Sequence, residues 1–359
     1  MLSREINEDR IGFDKYISAL NSLGDTVFDK YVRISSTSAM THHLESTLDC
    51  LDDDPIAHLS FAVEQQLSYI KMMKGMYAEA DQKMLAAQDG RSSLARTQQL
   101  FEDAWTIFDE DVYLNSISLV EDRLENSGVS AERINGKRCL DGGSGTGRLS
   151  VALAKMGASE VIALDFGDKS QQFFSQKIKT ISSLKKFSDV IKNLTGDVTD
   201  LSQFDDNSFD FVATNGVLHH TNNPIGGLKE HLRVTSEGGL LFIYLYGSGG
   251  LYWDLYDKMR PVMSRYDSSD VGRCMIEMGL RQGFIYTYLD NVLAPRTYHS
   301  ITEVVALCEE THEIEWWECN GSTVWDSPSE TVRSKFGSLL LGSEGEVRIV
   351  VRKGRKKSV

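Results

Sequence analysis

Residues 139–167 read CLDGGSGTGRLSVALAKMGASEVIALDFG, and this stretch decides the fold. Four glycines stand within its first nine residues, directly after an apolar run. Asp141 comes just before them, and Asp165 closes the apolar run that follows. A strand turning into a helix accounts for the apolar pattern, but the glycines need a further reason. Glycine is required where backbone N–H groups must approach a ligand with no Cβ between. The stretch therefore predicts a first strand, a ligand-facing turn and a helix. In a doubly wound sheet, ligands sit beyond the carboxyl ends of the strands.

Downstream of this turn, short β-rich runs alternate with helical segments: EVIALDFG, SQQFFSQKIKTISSLKKF, VIKNLTGD, FDFVATNG, NPIGGLKEHLRVTSEGG and LLFIYLYG. That alternation predicts βαβ units and a parallel sheet. A further helix, SITEVVALCEETH, precedes two late strands near EIEWWEC and EVRIVVRKG. Upstream, about the first 130 residues read as helix. Asp54, Pro55 and Gly90 bracket a long segment whose Ile56, Leu59, Val63, Ile70, Met73, Tyr77 and Met84 recur at three- and four-residue steps. Such an apolar seam packs on its own chain or on a second copy, so a homodimer through these helices is one of two readings. The organisation expected is a helical cap or oligomerisation region at 1–130, a ligand-binding core at 131–246, an inserted lid at 247–298, and completion of the sheet with a basic tail at 299–359.

Composition excludes several classes. The chain has 359 residues, 38 Lys+Arg against 52 Asp+Glu, and a formal net charge of −14. A nucleic-acid partner is not expected, because backbone binding needs clustered positive charge. The run MLSREINEDR holds no apolar signal region, and the longest apolar run, 240–246, is far too short to span a bilayer. No membrane association is expected. Five cysteines, Cys50, Cys139, Cys274, Cys308 and Cys319, are scattered without metal-ligand spacing. They read as reduced thiols of a cytoplasmic protein, with no metal site.

The spacing of the glycine turn selects among ligands. A dinucleotide site wants G-x-G-x-x-G. Counted from Gly143, its third glycine falls on Arg148, and the spacing present is D-x-G-x-G-x-G. Asp141 would repel a pyrophosphate and suits a zwitterion carrying an ammonium group. A nicotinamide-dependent dehydrogenase is therefore disfavoured.

Over about 136–246 the sequence resembles the class I S-adenosylmethionine-dependent methyltransferases. The resemblance implies an α/β fold with a Rossmann-like, mostly parallel seven-stranded sheet, and S-adenosyl-L-methionine as cofactor. It implies that Asp141, Gly143, Gly145 and Gly147 surround the methionine moiety. Asp165, 18 residues past Gly147, matches the carboxylate that takes the ribose hydroxyls. Asp197 and Val198 in TGDVTDL match the pair that reads adenine, and Asn215 ends the fourth strand near the sulfonium. A helix before the sheet commonly covers the cofactor in this family, which nominates Trp105, Phe108 and Tyr113.

Methyl transfer from a sulfonium is an in-line displacement, so the protein mainly aligns the reacting atoms and excludes water. A thiol, thioether or free amine often needs no base, whereas other oxygen and nitrogen acceptors can require one, for which His219 and His220 are candidates. The acceptor pocket is expected from Tyr246, Trp253, Arg296 and Tyr298 in and around the insertion. Aromatic walls suit a cation, and an arginine suits a carboxylate. The expected activity is methylation of O, N or S on a small-molecule metabolite. The alternative is a non-catalytic module that binds the cofactor and recruits a partner.

Overall fold

The structure, a computed structural model, describes residues 10–49, 53–77, 100, 110–319, 336–342 and 345–357. Along the chain come helices α1 (Phe13–Asn21), α2 (Val27–Asp49), α3 (Pro55–Tyr77) and α4 (Glu110–Asn126). Then follow β1 (Arg138–Gly142), α5 (Arg148–Lys155), β2 (Glu160–Asp165), α6 (Asp168–Thr180), β3 (Ile191–Thr195) and β4 (Phe209–Asn215). Next are α7 (Pro224–Val234), β5 (Thr235–Tyr246), α8 (Leu251–Met263), α9 (Ser268–Glu277), α10 (Gln282–Tyr288) and a π-helical turn, Leu289–Leu293. The last are α11 (Ile301–Thr311), β6 (His312–Cys319), α12 (Gly337–Leu341) and β7 (Glu346–Lys356). No helix among the described residues is long and apolar enough to cross a membrane.

The chain divides into two compact units. A helical unit comprises Met1–Ala104, Gly249–Ala294 and Thr331–Ser343, and a sheet unit comprises Trp105–Ser248, Pro295–Glu330 and Glu344–Val359. The insertion is thus not a separate body, since its helices form one unit with the N-terminal helices. Helix α4, grouped with the N-terminal region by the sequence, belongs with the sheet. Its apolar stripe of Tyr113, Ile117, Val120 and Leu124 is buried in the same cluster as α5 and the strands.

In the sheet unit the strand order is β3-β2-β1-β4-β5-β7-β6. The first five strands pair in parallel, and β7 runs antiparallel to both β5 and β6. This is the α/β, mostly parallel seven-stranded sheet expected. Period-two alternation sends Cys139, Val161, Ala163, Phe211 and Ala213 to the face covered by α4, α5 and α6. Leu140, Ile162, Leu164 and Val212 point to the face of α7 and α11. Local signals fix both covering helices. Pro224 opens α7 while the Asn223 side chain accepts from Gly226 N, and a capping box of Ser300 and Glu303 starts α11. Because β2 and β4 flank β1 on opposite sides, the crevice beyond the carboxyl ends of β1 and β4 is the topological switch point.

Within the helical unit, the described part of the apolar seam is filled by the chain itself. Ile56, Leu59, Val63 and Ile70 are buried, and α3 packs on α1 and α2. Gln66, which interrupts the seam, is buried and accepts from Ser36 Oγ at 3.0 Å. Met84, Cys50, Trp105 and Phe108 lie outside the described residues.

Candidate active site

The β1–α5 turn is built from its backbone outward. Gly143 N and Ser144 N both donate to Leu164 O, at 2.8 and 2.9 Å, which ties the turn to the end of β2. Gly145 N donates to Asp165 Oδ2 at 2.8 Å, and Gly167 N donates to Oδ1 at 2.8 Å. Tyr113, fully buried on α4, donates its hydroxyl to Thr146 O at 2.8 Å. Tyr113 therefore props the turn from behind through its backbone.

The glycines separate by role. Gly143, Gly145 and Gly147 all have positive φ, at 83°, 51° and 79°. A Cβ on Gly143 would sit 2.5 Å from Val217 Cγ1, and one on Gly147 would sit 2.1 Å from the Phe174 ring. A Cβ on Gly142 would meet His231 Nε2 at 2.1 Å. These three are glycine because protein packs against them. At Gly145 a Cβ would meet nothing within 4 Å. Of these glycines, Gly145 is the one at which an added Cβ would meet open space.

Two carboxylates flank this opening with different electrostatics. Asp141 is buried and accepts from Ser150 Oγ at 2.6 Å. Burial pushes its carboxyl up to about 7, against the opposing pull of the Ser150 bond. Asp165 ends β2 and accepts both the Gly145 and the Gly167 backbone N–H groups. Asp197 is exposed, and its Oδ1 takes the Thr199 N–H and hydroxyl at 2.7 and 2.8 Å, while Val198 is buried. Asn215 Oδ1 accepts from Arg123 Nη1 of α4 at 3.1 Å. The residue types suit a zwitterionic, ribose-bearing cofactor: open space at Gly145, Asp141 and Asp165 on the two strands next to the turn, and Asp197 just beyond β3.

Beyond β4, the turn Leu218–His220 meets the segment that returns from the insertion. Thr297 N donates to His219 O at 2.8 Å, and His299 N donates to Tyr246 O at 2.9 Å. His220 Nδ1 lies 2.7 Å from Pro295 O. A carbonyl only accepts, so Nδ1 carries a proton in this bond. His219 is the opposite case. Its ring is fully buried, stacked on Tyr246 at 3.8 Å, and its Nδ1 accepts the Tyr246 N–H at 3.3 Å. Burial first, and then His220, Arg296 and His299, hold it neutral well below the ordinary histidine range.

Of the residues nominated for the acceptor, Tyr246, Arg296 and Tyr298 belong to the sheet unit. The Arg296 guanidinium lies 5.8 Å from the Tyr246 ring centre. Trp253 belongs to the helical unit, where it packs on Tyr252 and Tyr256. The sequence reading missed a charged cluster at the same end of the sheet. Tyr244 donates to Glu346 Oε1 at 2.5 Å, Glu346 pairs with Arg348, and the Arg123 and Arg348 guanidinium carbons lie 5.0 and 4.8 Å from the Tyr244 ring centre. The only local signal was a Glu and an Arg two apart at the head of β7, before the apolar run Ile349–Val351.

Comparison with known proteins bears on this turn and its sheet. The family model for a methyltransferase domain, Methyltransf_11, matches residues 140–243. The demethylmenaquinone methyltransferase of Clavibacter sepedonicus is 36% identical over 110 residues, 31% of this chain and 41% of that protein. The chain thus spans about two fifths of that relative's length. The demethylmenaquinone methyltransferase of Geobacillus sp. (strain WCH70) is 30% identical over 186 residues, 49% of this chain and 76% of that protein. Among solved structures, the YcgJ protein of Bacillus subtilis aligns at 15% identity with a TM-score of 0.40, over 68% of this chain and 99% of that one. With the family's glycine turn and strand order both in place, this chain belongs to the class I S-adenosylmethionine-dependent methyltransferases.

Proposed function

We propose that the chain transfers a methyl group from S-adenosyl-L-methionine to an oxygen, nitrogen or sulfur atom of a small-molecule metabolite in the cytoplasm. The observation that carries this reading is the opening at Gly145, flanked by Asp141 and Asp165. The bound cofactor supplies an electrophilic methyl on a sulfonium. Asp165 takes the ribose hydroxyls, Asp141 faces the ammonium end, and Asp197 with the Val198 backbone reads the adenine. Asn215 lines the end of β4. The relatives are named for methylating demethylmenaquinone, which supports a small-molecule acceptor.

Proton removal falls to His220. Its Nδ1–H is held by Pro295 O, which presents Nε2 as the basic atom. His219, buried and neutral with Nδ1 engaged by Tyr246 N, orders the wall instead. Labelled cofactor incubated with metabolite extract should yield a labelled small molecule, identified by mass spectrometry. His220→Ala should then lower kcat for an oxygen or nitrogen acceptor by about 10²–10⁴-fold, with cofactor affinity unchanged. Cofactor binding without any transfer would leave a binding module and overturn the catalytic reading.

Asp141 sets a pH dependence of defined sign. Its folded pKa of about 7 lies above its ordinary value of 3.8, because burial penalises the charge. The folded chain therefore binds more protons than the unfolded chain between these values. Its contribution to stability is fully present below the ordinary value and is lost as pH rises through about 7. Cofactor affinity should move the other way, since the ionised carboxylate faces the ammonium. Calorimetric titration from pH 5.5 to 8 should show tighter binding with rising pH, approaching tenfold per unit below the pKa. Asp141→Asn should flatten the profile, and an unchanged profile in that variant would remove Asp141 from the cofactor site.

A further inference from the structure

One edge of the sheet leaves a row of backbone groups unused. Strand β3 is the terminal strand on that side, and among the described residues nothing pairs with its outer edge. At its two ends, Val190 O accepts from Val161 N at 2.9 Å and Gly196 N donates to Asp165 O at 3.0 Å. Alternate residues of a parallel strand address one neighbour, so the even-numbered residues of β3 face β2. The N–H and C=O groups of Ile191, Asn193 and Thr195 therefore point outward. Such a row is a template for another strand. An edge lysine is a common guard against pairing, and Lys192 stands here, but its ammonium is already held by Glu160.

An open groove of about 540 Å³ lies along this edge, between β3 and α6. Asn193 and Thr195 line it from the strand, and Asp168, Gln172, Ser175 and Lys179 line it from the helix. These four helical residues follow at four-, three- and four-residue steps, so they form one stripe along α6. The stripe is acidic at its start, neutral and polar in its middle, and basic at its end. Asp168 and Lys179 are exposed, and neither is in an ion pair among the described residues. Asn193 Nδ2 donates to Ser175 Oγ at 2.9 Å, which sets the middle of the strand beside the middle of the stripe.

Strand and stripe are both self-complementary under a two-fold axis. We propose that a second copy of this chain pairs edge to edge through β3, antiparallel, with the axis at Asn193. Asn193 then faces its own copy, Ile191 faces Thr195 of the second copy, and each outward N–H meets an outward C=O. The axis stands perpendicular to the sheet, so both α6 helices lie on one face and run antiparallel. Asp168 meets Lys179 of the second copy and Gln172 meets its Ser175, each contact occurring twice, as an isologous interface requires. On the other face Lys192 lies opposite Leu194 of the second copy, which its methylene stem covers while Glu160 keeps the charge. A second copy fits better than an unrelated strand, because the charges of the stripe are matched by its own reversal. The proposal goes beyond methyl transfer and does not depend on it, since its test reads assembly.

The test is sedimentation velocity with light scattering on the full chain, over a wide concentration range at physiological salt, where the net charge of each chain is screened. A monomer–dimer equilibrium is expected. Asn193→Pro removes an N–H that faces away from β2, so the chain should still fold, as circular dichroism will show. It deletes both central hydrogen bonds of the interface and should raise the dimer dissociation constant by at least about tenfold. Lys179→Asp sets like charges across the interface and should weaken the dimer several-fold, and adding Asp168→Lys to it should restore the parent constant. Should Asn193→Pro fail to fold, the charge reversal and its rescue decide alone. A parent chain that stays monomeric overturns the proposal. So does a dimer indifferent to every variant that folds, which would place the contact on another surface. Methyl transfer stands or falls on its own assay.

Discussion

Gly145→Val should abolish cofactor binding and methyl transfer while the chain still folds. The added Cβ would meet no atom of the surrounding protein within 4 Å, so the expected collision is with the ligand. The folded state bears only the backbone strain of a non-glycine residue at a φ of 51°, on the order of 1–2 kcal/mol or somewhat more for a β-branched side chain. Gly147→Ala is the contrasting variant. Its Cβ would meet the Phe174 ring at 2.1 Å. Overpacking of about 1–3 kcal/mol then adds to a similar backbone strain. Thermal melts should therefore rank Gly147→Ala as the less stable protein. Calorimetric titration should find Gly145→Val the one without affinity. Normal cofactor affinity in Gly145→Val would mean that the ligand does not press on this turn.

That contrast also marks how far the sequence alone reaches. Strands β1, β2, β4 and β5 were legible because strands buried on both faces are short apolar runs punctuated by turn residues, whereas the edge strand β3 is largely exposed. The glycine turn was legible as the turn between β1 and α5. Its glycines could not be divided into packed and open ones, because Val217, Phe174 and His231 arrive from other elements. The same distance in sequence hid the Arg123–Asn215 bond, which joins residues 92 apart. Helix α4 was readable as a helix, but an apolar stripe does not say whether a sheet or another helix will cover it. His219 and His220 are neighbours of one residue type. Only Tyr246 N and Pro295 O, brought in by the strand and the returning segment, give their Nδ1 atoms opposite roles. Trp253 was grouped with Tyr246 by proximity in sequence, yet the chain leaves the sheet unit between them.

Asp165→Ala should weaken cofactor binding by at least about 100-fold. Two hydroxyls donated to a carboxylate are charge-assisted bonds of roughly 1.5–3 kcal/mol each, and each 1.4 kcal/mol is a factor of ten in affinity. The structure adds a second loss. Asp165 also holds Gly145 N and Gly167 N, so its removal releases the turn whose open side receives the ligand. Both losses act on the same equilibrium, and they separate in the unliganded protein. Released backbone N–H groups that reach water cost little, so the melting temperature should fall modestly, while the loop amides should exchange faster with solvent. The ribose contribution is isolated by a cofactor-product analogue lacking the ribose hydroxyls. The parent chain should bind that analogue far more weakly than the intact product, and Asp165→Ala should bind the two almost equally. If Asp165→Ala still discriminates between them as the parent does, the ribose is held elsewhere and Asp165 serves the turn alone.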